Sequence, residues 1–104
     1  MDPVVEGVRQ DSLEELERTL TALAREYGEA VRQGGRERAQ RVRQLVLTSK
    51  AHTRLAAQNP RLTPAKRAEK KEALLWLTTW LENPELFPVW VDLRKEKLPP
   101  RELT

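Results

Sequence analysis

Apolar residues in the first third of the chain recur at alternating spacings of three and four positions. The residues that follow this pattern are Leu13, Leu16, Leu20, Leu23, Tyr27 and Ala30. The spacing is that of an a/d heptad seam, so it predicts an amphipathic helix that continues to about Gln33. Ser12 and Glu15 form a capping box at its start, and Gly34-Gly35 favours a left-handed end to the helix.

A second amphipathic segment follows the two glycines and predicts a helix from about Arg36 to Gln58. Its apolar side consists of Ala39, Val42, Leu45, Val46, Ser49, Thr53 and Ala56. These side chains are small, which suits close packing on the Leu-rich first helix. Because only two or three residues separate the two helices, we expect them to form an antiparallel hairpin. Asn59-Pro60 ends the second helix, since a residue before proline is displaced from the helical region.

Prolines divide the rest of the chain into two further helices. Thr63-Pro64 predicts the start of a third helix, with threonine as N-cap and proline at the first helical position. This helix should reach about Glu82. Pro84 and Pro88 then predict one tight turn, followed by a short fourth helix that ends near Lys97.

The length and composition favour one small helical domain. Hydrophobic residues make up 38% of the 104 residues and charged residues 34%, which is enough for a modest core. We therefore predict a single all-α domain over residues 1–104: three main helices plus a short C-terminal helix, built on an antiparallel helical hairpin. Residues 1–11 and 98–104 are expected to be mobile tails.

Cysteine usage and apolar run length bear on the compartment. The chain has no cysteine, so it can form neither a disulfide nor a thiolate zinc site. Residues 1–10 contain Asp2 and Glu6 and no apolar run, so we expect no secretory signal. The longest apolar runs are far shorter than the ~20 residues that span a bilayer. We therefore predict a cytoplasmic protein without membrane association.

Charge is strongly segregated, although the formal net charge is only +3. Residues 34–72 carry 11 basic and 3 acidic side chains, whereas residues 1–33 carry 4 basic and 8 acidic ones. Pairing between an acidic first helix and a basic second helix explains part of this pattern. The rest forms a stripe on the second helix and a cluster at the start of the third, where exposed N–H groups also attract anions. The candidate anion- or nucleic-acid-binding residues are Arg36, Arg43, Lys50, Arg54, Lys66, Arg67 and Lys70.

An aromatic cluster near the C-terminus contains all three tryptophans of the chain. Its members, which are the candidate partner-binding residues, are Trp76, Trp80, Phe87 and Trp90. One interpretation is that they form the bulky core at the open end of the hairpin. The other is a partner groove or a dimer seam, because aromatic residues with arginine nearby are typical of binding hot spots. By the helical wheel, Trp80 lies near Leu77 and Trp76 lies further round, so we expect Trp80 in the core and Trp76 in the groove. Trp90 is expected to behave like Trp80, because it anchors the short fourth helix.

The residue patterns of catalysis and cofactor binding are missing. The four glycines do not form a phosphate-binding loop. His52 is the only histidine, and Ser49 occupies the place of the glutamate that a di-iron Glu-x-x-His pair requires. The connection over residues 58–63 is longer than a helix-turn-helix turn, which disfavours base-specific DNA recognition. We predict no enzymatic activity, no cofactor and no metal site.

The function predicted from these patterns is that of a small, non-catalytic intracellular interaction or regulatory module. We expect a homodimer or a protein partner. The hairpin partner covers one side of the heptad seam and the third helix must cover the rest; if the third helix packs only through its C-terminal half, a second copy would bury the remainder symmetrically. The alternative is a module that binds nucleic acid or phosphate through the basic residues of the second and third helices. The first function requires an apolar or aromatic surface, and the alternative requires the basic one.

Overall fold

The structure, a computed structural model, describes residues 13–97, which contain helices and turns and no strand. The elements are α1 (Leu13–Arg32), α2 (Arg36–Ala57), α3 (Pro64–Glu82), a 3₁₀ turn (Pro84–Leu86) and α4 (Phe87–Lys95). The predicted fold class, three main helices plus a short C-terminal helix, is confirmed. Ser12 of the predicted capping box and the two predicted mobile tails lie outside the described residues.

Local chemistry explains where the helices begin and end. Gly34 adopts φ 74°, a left-handed conformation that favours glycine. The N–H of Gly35 then donates to the carbonyl of Ala30 at 2.7 Å, which satisfies one of the free carbonyls at the end of α1. Thr63 is the N-cap of α3, because its hydroxyl accepts a hydrogen bond from the N–H of Lys66 at 3.1 Å.

The four helices pack as two successive hairpins with α4 folded back against them. The predicted hairpin of α1 and α2 is present and packs closely, but α2 and α3 make the most extensive helix contact of the described residues. The first helix also contacts α3, the 3₁₀ turn and α4. α1 and α3 therefore each contact every other helix, and α3 lies between α2 and α4.

One core cluster joins the helices. Its buried residues are Leu13, Leu20, Ala24, Val42, Val46, Ala73, Trp76, Leu77, Trp80, Phe87 and Val91. Leu16, Leu23 and Tyr27 are partly buried against it. Leu13, Leu20 and Ala30 of the heptad seam are buried, whereas Leu16, Leu23 and Tyr27 keep partial exposure. The seam is therefore covered in part by the other helices of the chain, and self-association stays a prediction.

The apolar side of α2 was predicted correctly at its centre and wrongly at its edge. Ala39, Val42 and Val46 are buried, whereas Leu45 is 59% exposed and Ser49 is also exposed. Consecutive helical residues lie ~100° apart. Leu45 therefore points away from the arc that Val42 and Val46 place against the neighbouring helices.

Candidate functional site

Most of the aromatic cluster lies inside the core. Trp76, Trp80 and Phe87 are at most 1% exposed, and Trp90 is partly buried beside them. A partner cannot touch the first three residues in this fold. The interpretation of the cluster as a partner groove is therefore wrong for these three residues, and the expectation that Trp76 lies in such a groove is wrong with it.

The indoles are held by specific contacts. The Nε1–H of Trp80 donates to the carbonyl of Leu20 at 2.9 Å, and Tyr27 packs edge-on against the same indole at 5.7 Å between ring centroids. Trp76 meets the ring of Phe87 edge-on at 6.5 Å. Because α4 folds back and supplies Phe87, the side of α3 that carries Trp76 has a neighbour that the hairpin alone would not provide.

An ion pair fastens α4 to α3. Arg94 donates through Nε and Nη2 to the two carboxylate oxygens of Glu72, at 2.6 and 2.8 Å. The Nε1–H of Trp76 donates to the same carboxylate at 2.8 Å. The hydrogen bonds from Arg94 lower the pKa of Glu72, against the opposing effect of its partial burial, and that from Trp76 lowers it further. The pKa of Arg94 is raised by the same contact.

A second ion pair fastens α4 to α1. The ammonium of Lys95 lies 2.8 Å from each carboxylate oxygen of Glu17. The hydrogen bond to Glu17 raises the pKa of Lys95. Sequence reasoning missed both ion pairs, because their partners are 22 and 78 residues apart and no local pattern connects them. Together they fix the orientation of α4.

Two of the candidate anion-binding residues have partners within the chain. The guanidinium of Arg67 donates to the carbonyl oxygens of Asn59, Pro60 and Leu62 and so closes the connection between α2 and α3. The ammonium of Lys66 lies 3.6 Å from a carboxylate oxygen of Glu69. Arg67 therefore has a structural role. The sequence-based assignment of Arg67 to the anion-binding residues is corrected accordingly.

Arg43 and Lys50 of α2 lie beside α3. Arg38 reaches Glu26 and Glu29 of α1 at 3.6 and 3.8 Å, so its side of α2 faces α1. Arg43 and Lys50 lie on the opposite flank of the buried arc, by the ~100° turn of successive residues, and this flank faces α3. Both are only partly exposed, as expected for long side chains whose stems pack along a neighbouring helix.

The same reasoning places two lysines of α3 beside α2. The flank of α3 that carries Glu72 and Trp76 contacts α4. Lys70 and Lys71 lie on the other flank. The surface where the two helices meet, called the basic junction below, therefore contains Arg43, Lys50, Arg54, Lys70 and Lys71. Arg36 continues the row at the start of α2, next to the Gly34-Gly35 turn.

No carboxylate within residues 13–97 pairs with the basic junction. The segment 34–72 contains three acidic residues. Glu72 is held by Arg94 on the far side of α3, Glu69 is paired with Lys66, and Glu37 lies at the start of α2 on its outer side. The five cations of the junction have no ion-pair partner among the described residues.

An exposed apolar surface lies on α4 and the turn before it. Leu86, Val89 and Leu93 are 58%, 62% and 57% exposed and follow one another at spacings of three and four residues. They are called the apolar stripe below. Trp90 borders it on one side. The spacing was readable in the sequence, but α4 is apolar on both sides and only the fold decides which side is buried.

An acidic edge borders the apolar stripe on the side away from Trp90. It is formed by Glu85, Asp92 and Glu96, all of them exposed. Asp92 is also 3.8 Å from Lys95. The stripe therefore has an apolar centre and an acidic edge on one side, while the exposed Lys97 lies on the side of Trp90.

Other kinds of site are not seen among residues 13–97. No cluster of three or more His, Cys, Asp or Glu side chains there is arranged to hold a metal ion. No helix in this part of the chain has the length and apolar character needed to cross a membrane. His52 is exposed on α2. Comparison with known proteins found no matching family model, no matching curated protein and no matching solved structure.

Proposed function

We propose that the chain is a non-catalytic interaction module that binds a protein through the apolar stripe. The observation that carries the proposal is the exposure of Leu86 in the 3₁₀ turn and of Val89 and Leu93 on α4, whose other side is buried. Three large apolar side chains that adjoin one another are more than the scattered exposure normal for a protein surface. They offer the contiguous apolar contact that a partner buries.

The arrangement suits recognition of a helix by a groove. Leu86, Val89, Trp90 and Leu93 occupy positions i, i+3, i+4 and i+7, which is the anchor pattern of helices that lie in apolar grooves. Phe87 and the ion pairs of α4 hold this helix in place before any partner arrives. A helix ordered in advance loses less conformational entropy on binding than a segment that must first fold.

The charge of the border favours one kind of partner. Antiparallel pairing of two copies of α4 across a two-fold axis would bring the two acidic edges together, which is unfavourable. The three side chains of the stripe expose on the order of 300 Å², whereas a stable interface buries ~800 Å² on each side. We therefore propose a partner whose apolar groove is edged by lysine or arginine and extends beyond the stripe itself. The homodimer predicted from the sequence is the competing occupant.

Photo-crosslinking and titration test this proposal. A photoreactive phenylalanine is placed at Val89, and in a control at Leu55, which is 68% exposed on α2. A protein captured in cells only from position 89 is purified and titrated against the chain. We expect Leu93→Glu to weaken its binding at least ~30-fold, the factor for a hot spot of ~2 kcal/mol, and the control Leu55→Glu to leave it nearly unchanged.

Three outcomes contradict the proposal. Equal capture from both positions, or equal weakening by both glutamate variants, would mean that the stripe is not the docking surface. A dimer mass by light scattering at micromolar concentration, abolished by Leu93→Glu, would assign the stripe to a second copy of the chain and rule out the basic-edged partner.

A further inference from the structure

Beyond protein binding through the apolar stripe, we infer that the basic junction of α2 and α3 binds the phosphate backbone of a nucleic-acid duplex. The junction lies on the flank of α3 opposite the one that contacts α4, so it is a separate surface. Its cations are Arg43, Lys50, Arg54, Lys70 and Lys71.

Two features of the junction favour phosphate binding: its cations lack ion-pair partners among residues 13–97, and three of its side chains are partly immobilised by packing. None of its five cations has an ion-pair partner within residues 13–97. Arg43, Lys50 and Lys70 are partly buried, so their aliphatic stems pack along the helices while their charged ends reach solvent. Cations fixed in this way lose less side-chain entropy when they bind a phosphate than freely rotating ones.

The spacing of the cations suits a long, regular polyanion. From Arg43 to Arg54 the row extends ~17 Å along α2 at 1.5 Å per residue. One strand of a duplex carries about five phosphates over that length. In an antiparallel pair, residues at equal distances from the connecting segment lie side by side. Lys71 therefore lies beside Lys50, because both are equally far from the middle of the connection 58–63. Packed helix axes lie ~8–10 Å apart. The junction thus presents a row of three cations on α2 beside a pair of lysines on α3.

Other anionic partners fit this surface less well. A protein interface needs large apolar anchors at its centre, but the two leucines that border the junction, Leu47 and Leu75, are only 38% and 39% exposed. A helix that lies on a membrane needs a wide apolar side next to its cations. On α2 the most exposed leucines, Leu45 and Leu55, lie on the outer side of the helix, away from the junction. Arginine and lysine without apolar anchors are typical of backbone contacts, which position a duplex without reading its sequence.

Binding is tested with a labelled duplex of about 20 base pairs, as DNA and as RNA, by fluorescence anisotropy at ~50 to 200 mM salt. Each phosphate contact contributes about −0.9 to the slope of log K against log salt, so five contacts give about −4.5 and a loss of roughly 500-fold over this range. We expect Arg43→Gln with Lys50→Gln to flatten the slope by about two units. Glutamine keeps the helix propensity and part of the stem.

The control variant removes two positive charges from α1 instead of from the junction. Arg25→Gln with Arg32→Gln, both exposed on α1, should leave the slope nearly unchanged. If the Arg43 and Lys50 variant does not fold by circular dichroism, Arg54→Gln with Lys71→Gln replaces it, because both of these residues are exposed positions of the junction.

Three results would overturn the inference. The first is no duplex binding at ~50 mM salt, where backbone contacts are strong. The second is an equal change of slope in the junction and control variants. The third is preferential binding of polyglutamate over either duplex, which would make the junction a site for an acidic protein. Leu93→Ser in the apolar stripe should leave duplex binding unchanged, so the failure of one proposal does not imply the failure of the other.

Discussion

Truncation of each of the three tryptophans to alanine distinguishes the two buried indoles from the one at the edge of the core. In the structure, Trp76 and Trp80 have almost no contact with solvent, whereas Trp90 lies at the edge of the core against Phe87, with 6.1 Å between ring centroids. We therefore predict that Trp76→Ala and Trp80→Ala destabilise the fold to a similar and large extent. Trp90→Ala should cost clearly less. The helical wheel alone would have predicted a small effect for Trp76→Ala.

The magnitude follows from the buried surface. An aromatic side chain of this size buries ~200 Å², which at ~25 cal/mol per Å² gives ~5 kcal/mol. Measured truncations of buried aromatics to alanine cost about 3–5 kcal/mol. Trp80→Ala also removes the donor to the Leu20 carbonyl, and Trp76→Ala removes one to Glu72. For the partly exposed Trp90 we expect about 1–2 kcal/mol.

Urea unfolding followed by far-ultraviolet circular dichroism measures the difference. A domain of this size has a total stability of about 5–15 kcal/mol and an m-value of about 1–3 kcal/mol per M, so a core truncation shifts the midpoint by more than ~1 M or prevents folding. Trp76→Phe and Trp80→Phe serve where the alanine variants do not fold. If Trp76→Ala were as stable as Trp90→Ala, the burial of Trp76 by α4 would be refuted and the groove interpretation would return.

Three further predictions concern the ion pair of Glu72, the connection between α2 and α3, and the turn between α1 and α2. Glu72→Gln should lower stability by ~1–3 kcal/mol at pH 7, because it breaks a charged hydrogen-bond pair. Since the fold lowers the pKa of Glu72 from its ordinary 4.5, the difference from the parent should shrink in urea melts as the pH falls below that value. Arg67→Ala should cost ~1–2 kcal/mol and increase amide exchange over residues 58–63, because it removes the hydrogen bonds from Nη1 to the carbonyl oxygens of this connection. Gly34→Ala should lower the melting temperature, because φ is 74° at this position. Gly28→Ala inside α1 should raise the melting temperature, because alanine loses less backbone entropy than glycine on folding. A rise in both variants would contradict the left-handed turn.

The helix boundaries could be predicted because they are encoded locally. Thr63-Pro64 carries both a capping hydroxyl and a residue that suits the first helical turn, and Gly34 supplies the left-handed conformation that ends α1. These signals act over a few residues and do not depend on the rest of the fold. The same is true of the 3₁₀ turn at Pro84, where the sequence required an interruption.

The arrangement of side chains around α3 could not be predicted, because it depends on distant parts of the chain. A helical wheel shows which residues share a side of a helix but not how many neighbours the helix has. With α2 on one flank and α4 on the other, α3 buries a wider arc than a hairpin partner would cover, and Trp76 falls within it. The pairing of Arg94 with Glu72 arises from the same return of the chain.

The central place of α3 also separates the two proposed surfaces. Its flank beside α2 carries Lys70 and Lys71 of the basic junction, whereas its other flank holds α4, which presents the apolar stripe outward. A protein on the stripe and a duplex on the junction would therefore not compete for the same residues. Substitutions at sites without shared contacts act additively, so a variant that combines Leu93→Glu with Lys71→Gln should show the sum of the two single effects in each binding assay. Coupling between them would mean that α3 transmits a change between its flanks, a property that rigid packing of Trp76 and Leu77 in one core does not provide.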